Sequence, residues 1–99
     1  MASQAQPPQV ASALAKLGAD LRTARQRRGE SLRAWAVRMA VSVPTIRRME
    51  AGDAKVGMGV YATAFWLIGK TADLKNIADP AKDAQALALE ILKTDRRRK

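Results

Sequence analysis

The sequence predicts an all-α protein of five or six short helices. Apolar residues make up 47% of the 99 residues and aromatic residues only 4%, so the core has to come from alanine, leucine, valine, isoleucine and methionine. Alanine, leucine and methionine are good helix formers. The apolar residues recur at the three- and four-residue spacing of helices and show little of the alternation typical of strands. The length is that of one domain with a compact core.

The charge balance indicates a polyanionic partner. Eighteen lysines and arginines against nine acidic residues give a formal net charge of +9. Nucleic acid, an acidic lipid surface and a purely solubilising role are all compatible with this excess. No apolar run approaches the roughly 20 residues of a spanning helix, and no signal peptide is evident. We therefore expect a cytoplasmic, nucleoid-associated protein with no membrane partner.

Missing residue types exclude several classes of chemistry. The chain has no cysteine and no histidine. Thiol nucleophiles, zinc fingers, Ser-His-Asp triads and disulfides are therefore ruled out. The Gly57-Met58-Gly59 segment lacks the third glycine and the preceding strand of a dinucleotide-binding loop. We expect no enzymatic activity, no cofactor and no metal.

The first long helix is predicted from about Val10 to about Arg28. Residues 1–9 before it are polar and contain two consecutive prolines, which predicts a disordered leader. Gly18 weakens the helix by up to about 1 kcal/mol relative to alanine, which suggests a close packing contact. Gly29 ends it. Its inner stripe consists of Leu14, Leu17, Leu21 and Ala24.

Two short helices follow, each preceded by a serine that can cap it. The first runs from the Ser31 cap to about Ala40, and the second runs from Val43, after the Ser42 cap, to about Ala51. The side chains expected to face inward are Trp35, Ala36, Met39, Ile46 and Met49. Those expected to face outward are Val43, Pro44, Arg47 and Arg48. Arginines beside small apolar groups suit a DNA major groove, because Arg donates to guanine edges and methyl groups contact thymine.

A fourth helix, from about Met58 to Ile68, is apolar on nearly all sides. A domain this small covers only one face of such a helix, so the other predicts a homodimer interface. We assign Tyr61, Phe65 and Ile68 to that interface. Trp66 is expected in the core, and a place in the interface stays open as the alternative.

The C-terminal third is less regular. A short helix is predicted from Thr71 to Ala78. Residues 81–94 carry apolar residues at helical spacing and predict a C-terminal helix, although Leu87-Ala88-Leu89 also allows a strand. Residues 95–99 form a basic tail that either clamps DNA electrostatically or is simply solvated.

From Leu17 to Gly52 the chain resembles the Cro/repressor-type helix-turn-helix family, also called the XRE family. The residues that carry the resemblance are Leu21, Arg25, Gly29, Ser31, Trp35, Ala36, Met39, Val41, Ser42, Thr45, Ile46, Arg48, Met49, Glu50 and Gly52. The resemblance implies a lambda-repressor-like DNA-binding domain over residues 10–80. Such domains dimerise on two half-sites of an operator in double-stranded DNA.

The resemblance also implies residue roles. The positions that correspond to DNA contacts are Ser42, Val43, Pro44, Thr45, Arg47 and Arg48. The family's arginine at position 25 pairs with the glutamate that closes the reading helix, here Glu50, and supports that helix. Its usual phosphate-contacting glutamine is Leu32 here, and Arg33 or Arg38 is a candidate to replace it.

Two other positions depart from the family pattern. Glu30 stands where an apolar residue is usual, and Ala40 replaces the glycine of the turn, a change that the motif tolerates.

A narrower likeness, to HipB-like antitoxins, covers residues 52–98. It is carried by Gly52-Asp53, Val56, Gly59, Trp66, Asp73-Leu74, Ile77 to Pro80, Ala86 to Glu90 and Arg96 to Arg98. This likeness implies a transcriptional repressor whose dimer binds its own operator and neutralises a HipA-like Ser/Thr kinase toxin. Two alternatives stay open, a stand-alone XRE-type regulator without a toxin and a protein–protein adaptor that no longer reads DNA.

Overall fold

The structure is a computed structural model that describes residues 6–98. Over this range the chain forms six α-helices and no strand, which confirms the all-α prediction. They are α1 (Pro8–Arg27), α2 (Leu32–Met39), α3 (Val43–Glu50), α4 (Met58–Leu67), α5 (Thr71–Lys75) and α6 (Ala84–Arg98). None of these helices combines the length and apolarity needed to cross a bilayer.

The start of α1 differs from the prediction. Pro8 and Gln9, which were expected in the leader, form its first turn. Proline suits this position because its missing N–H has no helical partner there and its φ is already helical. The carbonyl oxygen of Pro7 accepts from the backbone N–H groups of Val10 and Ala11 at 2.9 and 3.2 Å. The rest of the predicted leader, residues 1–5, lies outside the described residues.

The helices α1 to α4 form one compact unit, which ends at Gly69. Within it, α3 packs against both α1 and α2, and α4 packs against α2. The buried side chains are those of Leu21, Trp35, Ala36, Met39, Ile46, Met49, Val56, Tyr61 and Ala64. The inward orientation predicted for α2 and α3 is therefore confirmed. The apolar side of α3, with Ile46 and Met49, is buried in the core, and its polar side, with Arg47 and Arg48, is exposed.

A close approach of α1 to the end of α3 depends on glycine. A Cβ on Gly18 would lie 2.5 Å from the Glu50 carbonyl oxygen and 2.6 Å from the Gly52 nitrogen, so no larger residue fits. Gly52 itself has φ +76°. The Asp53 N–H then donates to the Arg48 carbonyl at 3.0 Å, in the glycine-ended motif that satisfies the last carbonyls of a helix. These contacts hold the end of α3 against α1.

Two expectations for α4 are wrong. Tyr61, predicted in a dimer interface, is 3% exposed, and its hydroxyl donates to the Asp53 carbonyl oxygen at 2.8 Å. Burial raises the pKa of Tyr61, with the Asp53 charge adding to it. Trp66, predicted in the core, is instead 63% exposed. Phe65 and Ile68 are half-buried and pack against the core of their own protomer, so their place in a dimer stays a prediction.

The second unit starts at Lys70 and contains α5 and α6. Residues 70–80, which were predicted as part of the helix-turn-helix domain, lie in this second unit. The short helix ends at Lys75 instead of Ala78. After a 3₁₀ turn, the Asp83 side chain caps α6 by accepting from the Ala86 N–H at 3.0 Å.

The prediction of a C-terminal helix is confirmed, and the strand alternative is wrong. The helix α6 runs through Arg98, so residues 95–98 of the predicted tail continue it. Basic residues in its last turns are favourable next to the negative end of the helix dipole. Lys99 lies outside the described residues.

Candidate nucleic-acid interface

The two helices α2 and α3 form a helix-turn-helix with a three-residue turn, Ala40 to Ser42. The Ser31 hydroxyl accepts from the Ala34 N–H at 3.0 Å at the start of α2. The Ser42 hydroxyl accepts from the Thr45 N–H at 3.2 Å at the start of α3. Both predicted caps are present, and each satisfies a backbone donor that the first helical turn leaves free.

The turn itself is made by an alanine in a left-handed conformation. Ala40 has φ 57° and ψ 42°. The Val41 N–H donates to the Ala36 carbonyl at 3.0 Å, as in glycine-ended helices. For a residue with a Cβ this conformation costs roughly 1–2 kcal/mol. The replacement of glycine is tolerated here, at a cost in stability.

Replacing Ala40 with glycine is therefore expected to stabilise the protein. Relief of the left-handed strain exceeds the roughly 0.5–1 kcal/mol of extra chain entropy that glycine loses on folding, which leaves a gain of about 0.5–1 kcal/mol. Urea unfolding measures it. The matched control is Ala19→Gly on an exposed helical position of α1, where a loss of about 1 kcal/mol is expected. A loss in both variants would contradict the prediction.

The predicted DNA-contacting residues lie together on the outward side of α3. Four of them, Ser42, Pro44, Arg47 and Arg48, are exposed, and Val43 and Thr45 are half-buried. The hydroxyls of Ser42 and Thr45 are 2.9 Å apart and share a hydrogen bond. Arg48 donates to the Thr45 hydroxyl at 3.4 Å. These three polar side chains form one edge of the helix.

A second edge of α3 is formed by Val43, Pro44 and Arg47. Arg47 lies four positions after Val43 and three after Pro44, so the three residues share a face. Arg47 makes no hydrogen bond or ion pair within the described part of the chain, so its guanidinium is available to a ligand. The helix thus presents an arginine and two small apolar groups side by side.

A buried ion pair joins α3 to α1 on the inner side of α3. Arg25 Nε donates to Glu50 Oε2 at 2.8 Å, and Arg25 Nη2 donates to Glu50 Oε1 at 3.0 Å. The two side chains are only 9% and 6% exposed. Arg25 Nη1 also donates to the Glu30 carbonyl oxygen at 2.9 Å. The Glu50 hydrogen bonds raise the pKa of Arg25. One guanidinium thereby joins α1, the turn before α2 and the last turn of α3.

Glu30 has a role that its sequence position did not reveal. Its carboxylate accepts from Arg38 Nη1 and, at 3.2 Å, from the indole N–H of buried Trp35. The acidic side chain thus satisfies a buried donor, which explains its presence where an apolar residue is usual. Arg38, a candidate for phosphate contact, is engaged by this carboxylate. Arg33, the other candidate, is exposed and unpaired among the residues that the structure describes.

The Glu30 contacts make stability sensitive to acid. The hydrogen bond from Arg38, and to a smaller extent the one from Trp35, lowers the pKa of Glu30 below its ordinary 4.5. A carboxyl group with a lowered pKa stabilises the fold fully above 4.5, and this contribution disappears as the pH falls through the folded-state pKa. Urea unfolding of Glu30→Gln should therefore show a larger loss at about pH 6.5 than at about pH 3.5. Asp20→Asn, in an exposed pair with Lys16, controls for removing one surface charge; an equal loss for Glu30→Gln at both pH values would refute the coupling.

Comparison with known proteins identifies a helix-turn-helix domain in the same segment of the chain. A family model described as a helix-turn-helix domain matches residues 16–74. The match spans more than half of the chain and includes all of α2, the turn and α3. No curated protein and no solved structure matches the chain.

Proposed function

The chain belongs to the helix-turn-helix domain family, and from that premise we propose that it is a sequence-specific DNA-binding transcriptional repressor. The observation that carries the proposal is the outward face of α3, where exposed Arg47 lies beside the small apolar side chains of Val43 and Pro44 and exposed Arg48 lies on the neighbouring edge. The buried pair between Arg25 and Glu50 supports this face with fixed geometry. The net charge of +9 favours binding of a polyanion such as DNA and raises the association rate.

Base reading is proposed for the edge that contains Arg47. A bidentate contact of arginine with guanine discriminates against a wrong base by about 1–3 kcal/mol. Val43 and Pro44 have no side-chain hydrogen-bonding group, so they would contact thymine methyl groups or sense DNA shape. Ser42 and Thr45 would lie near phosphate, and Arg48 would bind a base or a phosphate beside them.

The test is selection of an operator from randomised double-stranded DNA, followed by binding of variants at one salt concentration. Arg47→Ala should weaken binding to the selected operator about 5- to 150-fold, as roughly 1–3 kcal/mol implies, and affect a scrambled duplex far less. Arg47→Lys is the matched control, because it keeps the charge and removes the bidentate geometry. Equal losses on both duplexes would mean that Arg47 contacts only phosphate.

A homodimer is the second part of the proposal. Reading two half-sites one DNA turn apart requires two copies of the motif. Besides the half-buried Phe65, and the half-buried Ile68 that follows the helix, α4 carries the exposed Trp66. This is a large apolar side chain of the kind that anchors interfaces. Sedimentation should show that Trp66→Ser weakens self-association, with thermal unfolding at low concentration nearly unchanged. An unaltered association constant would remove this face of α4 from the interface.

The narrowest part of the proposal is that the repressor is the antitoxin of a HipA-like Ser/Thr kinase. Its support is the sequence likeness over residues 52–98, together with exposed apolar side chains that a partner would cover. Those on α6 are Leu87, Leu89, Ile91 and Leu92, between 44% and 63% exposed. Leu87 and Ile91, four positions apart, lie side by side on one face of α6, where a partner would cover them.

Purification of the tagged protein from its native host, with mass spectrometry of stoichiometric partners, tests this pairing. A co-purifying kinase encoded next to the gene is the expected result. Recovery of DNA and the protein alone would favour a stand-alone XRE-type regulator. A protein partner without salt-dependent operator binding would favour an adaptor.

A further inference from the structure

A cleft opens beside the ion pair that supports α3. It has a volume of about 290 Å³. Its walls come from α1, from the first residue of α2 and from the end of α3. The lining residues are Arg22, Arg25, Leu32, Arg47, Glu50 and Ala51. It therefore joins the edge proposed to read bases to a residue of α1 that has no role so far.

From this cleft we infer a further binding site: Arg22 binds a backbone phosphate of the DNA, where the apolar Leu32 side chain offers no hydrogen-bond donor. The inference rests on the proposed DNA-binding function and deepens it. Arg22 lines the same cleft as Leu32 and Arg47, so α1 supplies a cation where the start of α2 supplies none.

The charge of the cleft favours an anion. Three arginines and one glutamate line it, which leaves a net charge of +2 (3 − 1). Both carboxylate oxygens of Glu50 accept from Arg25, so this pair neutralises itself. Leu32 and Ala51 contribute no charged or hydrogen-bonding side chain. The uncompensated charges are those of Arg22 and Arg47.

Arg22 is also free to bind. It is exposed and makes no hydrogen bond or ion pair within residues 6–98. By contrast, Arg38 is held by Glu30, and Arg33 does not line the cleft. A phosphate is the expected ligand because Arg22 lies on α1 and not on the reading helix, and protein groups outside the element that reads base edges mostly contact the DNA backbone.

The test measures affinity for the selected operator and a scrambled duplex between about 50 and 200 mM salt. Removing one phosphate contact reduces the slope of log affinity against log salt by about 0.9. Arg22→Ala should therefore make the negative slope shallower by about 0.9 per protomer. It should also weaken binding to both duplexes by the same factor. Arg22→Lys should keep the slope, because lysine also neutralises a phosphate.

Three further variants locate the contact. Arg33 and Arg38 are the competing candidates for this phosphate, and the slope should stay unchanged in Arg33→Ala and in Arg38→Ala if Arg22 makes the contact. Leu32→Gln in the Arg22→Ala background should restore part of the affinity, because glutamine can donate to a phosphate from the same cleft. Thermal unfolding of each variant confirms that a change in binding does not come from a smaller folded fraction.

The failures of the two proposals are distinguishable. An unaltered slope for Arg22→Ala, with operator preference abolished in Arg47→Ala, would overturn the phosphate site and leave the proposed function intact. A reduced slope for Arg33→Ala in place of Arg22→Ala would likewise overturn it. Absence of salt-dependent DNA binding by the unaltered chain would overturn the proposed function and the site together.

Discussion

Replacing Arg25 with alanine is expected to lower the free energy of unfolding by about 3–5 kcal/mol, the usual cost of removing one partner of a buried ion pair. The Glu50 carboxylate would stay buried with no cation beside it, since its side chain is only 6% exposed. The Glu30 carbonyl oxygen would be deprived of a donor at the same time. Urea unfolding at neutral pH measures the loss. For a domain of this size, it is a large share of the total stability.

Two controls separate burial from charge. Lys16 and Asp20 form an ion pair whose side chains are 78% and 59% exposed, so Lys16→Ala should change stability by less than about 1 kcal/mol. The double variant Arg25→Met, Glu50→Leu removes both charges and should recover most of the stability. If this folded double variant binds the operator less tightly, the pair serves the orientation of α3. A loss below about 1 kcal/mol for Arg25→Ala alone would contradict the importance of the pair.

The helix-turn-helix was predictable because its signals are local. Ser31 and Ser42 mark the starts of α2 and α3, and Gly52 marks the end of α3. The inward residues follow at helical spacing. A cap or a left-handed glycine acts within one turn of its own position, so its sequence signature survives whatever packs around it.

The face of α4 was not predictable in the same way. Since this helix is apolar nearly all round, no periodic pattern distinguishes the covered side from the open one. Which side is covered depends on residues elsewhere in the chain. Tyr61 is buried, and its hydroxyl donates a hydrogen bond to the Asp53 carbonyl oxygen, whereas Trp66 is exposed. The role of Glu30 was missed for the same reason, because its carboxylate is shared by side chains five and eight residues away.

Replacing Gly52 with alanine is expected to cost about 1.5–4 kcal/mol, because two penalties add. The residue has φ +76°, and a Cβ there would lie 2.4 Å from the Leu14 carbonyl oxygen and 2.6 Å from its carbonyl carbon. The left-handed conformation costs an alanine a net of about 0.5–1 kcal/mol relative to glycine, once the smaller chain entropy that alanine loses on folding is counted. Overpacking against rigid atoms costs about 1–3 kcal/mol more, because the backbone of α1 would have to move. Urea unfolding of the variant measures the sum.

Two other glycines divide that sum into its parts. Gly29 has φ +65° and open space within 4 Å of where a Cβ would lie, so Gly29→Ala should lose a net of about 0.5–1 kcal/mol from conformation alone. Gly59, in α4, has neither constraint, and Gly59→Ala should gain about 0.5–1 kcal/mol. The excess loss at Gly52 over Gly29 then measures how closely α1 holds the end of α3. Since that contact positions the reading helix, operator affinity should fall further in Gly52→Ala than in Gly29→Ala at equal folded fraction. Equal losses of stability at the two positions would mean that α1 yields, and that the ion pair of Arg25 and Glu50 alone holds α3 in place.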